Sequence, residues 1–240
     1  MQYLRSLVFV GQMYLAMLVL GIVFAIPALV SRAGARAGVH TYCRWVLWTA
    51  RVIARLRTEV RGTPPQGEAL IASKHQSFLD IIMIVASVPR PRFIMKHTLM
   101  FAPILGLYAL RIGCVPVVRG KRGQAIAKML DDVASGRRNP GQMIIYPQGT
   151  RIAPGVDAPY KVGAALLYDQ LGQTCYPAAT NVGVFWPRKG IYRKPGTAVV
   201  EFLDPIPPGQ DKQAFLSELE GRIEAASDRL LDEAGFRRGD

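Results

Sequence analysis

Cysteine, histidine and acid are all scarce in this 240-residue chain. The three cysteines, Cys43, Cys114 and Cys175, lie far apart and form no CxxC pair, which excludes a disulfide scaffold and a cysteine-rich zinc site. No GxGxxG, no Walker loop and no zinc-ligand spacing occurs, so neither a nucleotide cofactor nor a metal finds support. Seventeen Asp and Glu face thirty Lys and Arg, a formal charge of +13. That balance points to an anionic partner: nucleic acid, an acidic membrane surface, or a phosphate-bearing substrate. Half of the residues are apolar, which excludes a disordered tail, and the length suits one compact domain with a real core.

The charge is unevenly placed. Met1 to Arg61 holds eight basic residues and one acid, Glu59, and Ile81 to Leu130 holds eight basics and no acid. The last forty residues reverse the sign, with ten acids against five basics. The basic excess is therefore a directed field, and aromatics cluster with the apolar N-terminal segments instead of interleaving with the basic positions, which argues against nucleic acid.

Between Arg5 and Arg32 no charged residue occurs, and Leu7 to Val30 is a nearly unbroken apolar run. As a helix it extends about 36 Å, enough for a hydrocarbon layer of about 30 Å. A cleaved secretory signal is the rival, with Arg5 as its basic start and Ala35-Arg36-Ala37 as a cleavage site. The run exceeds the usual ~7–15 apolar residues of such signals, and a strongly basic flank follows, so a retained membrane segment is favoured. His40 to Thr58 reads as an amphipathic helix at a headgroup layer, with Arg44, Arg51 and Arg55 beside Tyr42, Trp45 and Trp48. The basic flank places the rest of the chain on the cytoplasmic side of the inner membrane. Pro27 leaves open whether the first helix spans or dips into one leaflet.

Residues 1–60 are thus read as membrane-embedded or interfacial helices, and residues 61–240 as an α/β domain. Beyond Pro64-Pro65, strands are expected at Ala69–Ser73, Arg92–Met95, Cys114–Val118, Gln142–Tyr146, Val182–Phe185 and Ala198–Leu203. Helices are expected at Phe78–Val88, Leu99–Leu110, Gln124–Ser135 and Val162–Leu171, with a final helix striped by Leu216, Leu219, Ile223, Ala226 and Leu230. Such alternation implies a mostly parallel central sheet flanked by helices.

Three segments carry chemistry. After Leu70–Ser73 comes Lys74-His75-Gln76-Ser77-Phe78-Leu79-Asp80. On one regular helix His75 and Asp80 stand about 140° apart. They meet only if His75 sits in the turn before the helix and Asp80 projects back from its first turn, where the carboxylate would fix the imidazole tautomer and leave a base. A surface histidine beside a helix-capping acid has the same spacing. Met143-Ile144-Ile145 ends in Tyr146-Pro147-Gln148-Gly149-Thr150-Arg151, whose Gly149 backbone, Thr150 hydroxyl and Arg151 guanidinium suit an oxyanion or phosphate, or make an ordinary turn. Arg119, closing Gly113–Arg119, and Lys96 supply cations at strand ends, the rim where open parallel sheets bind ligands.

HxxxxD, then GxxPxxR, then YPQGTR, then Tyr176-Pro177, in this order, resemble the glycerolipid acyltransferases, most closely the 1-acyl-sn-glycerol-3-phosphate (lysophosphatidic acid) acyltransferases. The resemblance covers about Ala69 to Leu203 plus the N-terminal helices. It implies a glycerol-3-phosphate acyltransferase-like α/β fold and transfer of an acyl group from acyl-CoA or acyl carrier protein to the sn-2 hydroxyl of lysophosphatidic acid, giving phosphatidic acid for phospholipid synthesis. It makes His75 the general base, Asp80 its orienter, and Arg119 a phosphate ligand, with Gln148, Gly149, Thr150 and Arg151 binding the acceptor and Lys96 a matching basic position. No cofactor is implied beyond the thioester co-substrate, and no Ser or Cys nucleophile, because the thioester is already activated. Three positions depart from the family pattern: Lys74 replaces Asn, Gln148 replaces Glu, and the fourth motif reads Cys175-Tyr176-Pro177-Ala178. Other acceptors, such as lyso-ornithine lipid or a lysophospholipid, and a non-catalytic protein binding anionic membranes, stay open as alternatives.

Overall fold

The computed structural model describes residues 1–117 and 140–237. Helices α1 (Gln2–Val23), α2 (Ala25–Val30) and α3 (Arg32–Val52) precede strands β1 (Leu56–Arg61) and β2 (Ala69–Ser73). Helix α4 (Leu79–Ser87), β3 (Pro91–Lys96), a 3-10 turn (His97–Phe101), α5 (Leu105–Arg111), β4 (Val115–Val117) and β5 (Gln142–Ile145) follow. The chain then forms α6 (Gly163–Leu171), β6 (Cys175–Thr180), α7 (Val182–Phe185), β7 (Gly196–Phe202) and α8 (Lys212–Glu233). The expected helix at Gln124–Ser135 and the position of Arg119 lie outside the described residues.

The seven strands order as β1-β7-β6-β2-β5-β3-β4, parallel at every neighbouring pair except the antiparallel β6–β7. The expected mostly parallel sheet flanked by helices is borne out. β2 lies at its centre, and all five of its residues are buried, as an apolar run covered on both faces requires. Strand alternation splits the core into two layers. Ile71 and Ile144 face α1, α3 and α4 with Phe9, Val46 and Met83; Leu70, Ala72 and Met143 face α6 and α8 with Leu167, Phe215, Leu219 and Ile223.

Four elements differ from the sequence expectation. The amphipathic helix starts earlier, at Arg32, because the Ser31 hydroxyl accepts from Gly34 N at 2.9 Å and caps it. It ends at Val52; Arg55 then adopts φ +57° and redirects the chain into β1, so Leu56–Arg61 is a strand paired with β7. Val182–Phe185, expected as a strand, is one helical turn, its first amide held by the Thr180 hydroxyl at 3.2 Å; a four-residue apolar run does not distinguish the two by periodicity. Leu99–Leu110 is broken at Pro103 and Ile104, where Ala102 is extended before the proline and Ile104 takes φ +63°. β6 (Cys175–Thr180) has no counterpart in the sequence expectation; a proline is tolerated in it because Pro177 precedes the β7 ladder, which starts at Ala178.

Helix α1 meets the length and apolarity of a membrane span, yet only 17% of its most apolar window is buried. Its inward side packs Phe9 and Met13 on the core, while Leu4, Leu7, Leu15, Leu18, Ile22 and others stay exposed. The lone polar interruption, Gln12, is satisfied between helices: it donates to Thr49 Oγ1 at 2.9 Å and accepts from Trp45 Nε1 at 2.8 Å. Both ends of α1 are fastened to the body. Gln2 Nε2 donates to Ala54 O and Arg193 O, each at 2.8 Å, and Tyr108 Oη donates to Gly21 O at 2.9 Å. The turn from α2 to α3 is so tight that a Cβ on Gly34 would stand 2.2 Å from Pro27 O.

Candidate active site

β2 ends in mid-sheet, and its C-terminal edge opens into loop 74–78 before α4 begins at Leu79. His75 lies in that loop and Asp80 in the first helical turn, so the two side chains converge. His75 Nδ1 is 2.9 Å from Asp80 Oδ1. The other carboxylate oxygen accepts from Gln76 N at 2.9 Å and Ser77 N at 2.8 Å. Asp80 is wholly buried, whereas the His75 side chain keeps 13% of its surface exposed. A carboxylate only accepts, so Nδ1 carries the hydrogen and Nε2 keeps a free lone pair.

The imidazole is also held by its face. Tyr146, just after β5, stacks on it at 4.0 Å, and Phe93 of β3 stacks on Tyr146 at 6.3 Å. The Tyr146 hydroxyl is buried and outside hydrogen-bond geometry with any described residue. Burial, and secondarily the neighbouring Asp80 carboxylate, push its pKa well above the usual phenol range, so it stays protonated.

Tyr146 opens the turn that carries the third motif. Gly149 has φ +72°, and its amide donates to Tyr146 O at 2.8 Å. Ile152 N donates to His75 O at 2.8 Å, which ties this turn directly to the histidine loop. Thr150 and Arg151 are half-buried there, and Arg151 forms no ion pair with any described residue. Gln148 is buried; its Nε2 reaches Ala158 O at 3.4 Å and its Oε1 has no partner among the described residues. Lys96 is the exposed last residue of β3 on the same rim, two strands from β2, or roughly 10 Å at ordinary strand spacing.

Sequence reasoning assigned no role to Tyr146 or Lys161 and named Lys74 only as a departure from the family pattern. Lys74 does not face the rim: it is buried and ion-paired with Glu224 of α8, which also accepts from Tyr160 Oη at 2.9 Å. Tyr146 was visible only as the first letter of its motif. Lys161, ten residues beyond Arg151, returns over Gly149, and nothing local in the sequence announces that long-range approach.

Behind Phe78 and Phe93 lies an apolar cavity of about 140 Å³ between α1, α3, α4 and α5, bordered also by Met17, Gly21, Val39 and Ile112. Its lining is wholly apolar, so it suits an apolar ligand. A histidine whose Nε2 is left to act as a base, cations on an adjoining turn that pair with no described residue, and an apolar pocket behind them can deprotonate a hydroxyl on an anionic amphiphile.

The acyltransferase family model matches residues 53–181, more than half of the chain, with His75, Asp80, Tyr146, the Gly149 turn and Lys161 among them. The chain belongs to the acyltransferase family. It is 28% identical over 204 residues to a 1-acyl-sn-glycerol-3-phosphate acyltransferase of Pseudomonas aeruginosa, covering 84% of this chain and 79% of the relative. It is 28% identical over 190 residues to the human 1-acyl-sn-glycerol-3-phosphate acyltransferase alpha, covering 77% of this chain and 67% of that one. The crystal structure of the 1-acyl-sn-glycerophosphate (LPA) acyltransferase PlsC from Thermotoga maritima superposes with a TM-score of 0.78 at 16% identity, over 96% of this chain and 99% of that one, so the acyltransferase shares its fold.

Proposed function

We propose that this acyltransferase moves a fatty acyl group from an acyl thioester, acyl-CoA or acyl carrier protein, to the sn-2 hydroxyl of 1-acyl-sn-glycerol-3-phosphate, giving phosphatidic acid. The observation that carries the reading is the His75–Asp80 pair, fastened through His75 O to a turn holding an unpaired arginine. The names of its relatives point to the same acceptor.

His75 Nε2 takes the proton as the hydroxyl oxygen attacks the thioester carbonyl. The C–S bond breaks, the thiol leaves as thiolate, and the imidazolium returns the proton to it. Asp80 holds the tautomer and stabilises the imidazolium. Arg151 and the Thr150 hydroxyl engage the acceptor phosphate, with Lys96 as a further cation of the rim; the family resemblance gives Arg119 the same role. Of the turn amides, those of Gly149 and Ile152 are already committed within the protein, which leaves Thr150 and Arg151 N–H for an oxyanion. The apolar cavity takes an acyl chain. Helices α1–α3 carry the membrane contact, and the basic flank Arg32, Arg36 and Arg44 puts the catalytic face on the cytoplasmic side.

The test is thioester consumption by purified protein with and without lysophosphatidate, with lipid product read by mass. Wild type should yield phosphatidate and His75→Ala should not, while both sediment equally with vesicles. Conversion of lyso-ornithine lipid or a lysophospholipid in preference to lysophosphatidate would replace the acceptor. Undiminished activity of His75→Ala would remove the base.

A further inference from the structure

Gly149 is constrained by more than its left-handed φ. A Cβ built there would stand 2.6 Å from Lys161 Nζ, 3.3 Å from its Cδ and 3.4 Å from its Cε. The Lys161 side chain therefore lies folded across the turn, with its ammonium over the residue that precedes Thr150 and Arg151. Its backbone is anchored for this: Lys161 N donates to Pro147 O at 3.0 Å, and Lys161 O accepts from Ala164 N at 3.1 Å, starting α6. The ammonium is exposed and makes no hydrogen bond or ion pair with a described residue. A lysine that served only solubility has no reason to lie along a turn whose own amides are partly spent and whose arginine is also unpaired. Two cations brought to one turn, neither paired with a described residue, repel each other, and an anion between them relieves that repulsion.

We infer that Lys161 is a substrate-phosphate ligand, closing with Arg151 on the phosphomonoester of the acceptor, on opposite sides of the Gly149 turn. The inference rests on the acceptor reading above and adds a specificity to it. A phosphomonoester carries about −1.5 to −2 at neutral pH, whereas a phosphodiester headgroup carries a single charge. Arg151 supplies the planar fork and Lys161 the compact second charge, so the pair favours the dianionic headgroup over a diester. Gly149 is then required because any side chain would displace the ammonium from the anion.

The experiment compares wild type, Lys161→Met and Lys161→Arg as full chains in mixed micelles, varying lysophosphatidate, lysophosphatidylglycerol and thioester donor in turn. Lys161→Met should raise the lysophosphatidate KM at least 10-fold and leave the donor KM within 2-fold. Its preference for lysophosphatidate over lysophosphatidylglycerol should shrink, inorganic phosphate should inhibit it less, and Lys161→Arg should recover most of the loss. Melting temperatures should agree, since the side chain is exposed and bonds to nothing that holds the fold. An unchanged acceptor KM in Lys161→Met, an equal rise in both KM values, or no recovery by arginine overturns the clamp while the acceptor reading stands. Wild type that ignores lysophosphatidate overturns the acceptor reading and the clamp with it.

Discussion

Replacing Asp80 by asparagine separates its electrostatic role from its shape. The carboxylate accepts three hydrogen bonds, from His75 Nδ1 at 2.9 Å and from the amides of Gln76 and Ser77 at 2.9 and 2.8 Å, with no surface exposed. An amide of the same size offers one acceptor oxygen. Leaving two buried backbone N–H groups unpaired costs about 1–3 kcal/mol each, so that oxygen stays with the amides and the NH2 turns to the imidazole. The ring must then accept at Nδ1 and hold its hydrogen on Nε2, the atom that takes the proton in the proposed mechanism. In serine hydrolases the same tautomer error costs about 10⁴ in rate, equivalent to roughly 5.4 kcal/mol of barrier. Three charge-assisted bonds becoming neutral ones cost stability about 1 kcal/mol each, roughly 3 kcal/mol in all. Initial rates of thioester consumption with saturating lysophosphatidate, alongside a urea denaturation curve, measure both. A folded Asp80→Asn protein within 10-fold of the wild-type rate would refute the tautomer argument.

Three further outcomes are expected. Val39→Phe projects a ring into the 140 Å³ cavity, so competition between long- and short-chain donors or acceptors should swing toward the shorter chain by 10-fold or more, read from product masses. Glu224→Gln leaves the buried Lys74 charge without its partner and should cost about 3 kcal/mol in urea denaturation, at the low end for such a loss because Glu224 keeps some solvent access; Lys74→Met combined with Glu224→Gln, which keeps an acceptor for Tyr160 Oη, should recover most of it. Burial pushes the thiols of Cys43 and Cys175 up to about 12 and that of Cys114 to about 11, so thiolate is at most about one part in a thousand at pH 8, and a thiol reagent should label none of them until denaturant releases all three.

What could be read from the chain follows a physical division. Ala69–Ser73 was legible because a strand buried on both faces must be apolar throughout, and the final helix because one stripe of Leu219, Ile223, Ala226 and Leu230 repeats at helical spacing. The convergence of His75 and Asp80 could be framed as a condition on where the helix begins, which is a local matter. The rest depends on distant partners. Nothing near Lys74 in sequence announces that α8 brings Glu224 to it, and nothing near Lys161 announces that the chain returns to Pro147. Leu56–Arg61 continues a helical pattern in sequence, and only the left-handed turn at Arg55 and pairing with β7 make it a strand.

The stitching of α1 at both ends has a mechanical consequence. A hydrophobic anchor on a flexible tether would let the body rise and fall above the lipid, and the reacting imidazole would sample many heights. In the proposed membrane-bound enzyme α1 would be an anchor clamped through Gln2 at one end and Gly21 at the other, so the depth to which it sank would set the altitude of His75. Insertion depth and the proposed reaction geometry would then be coupled through one rigid helix.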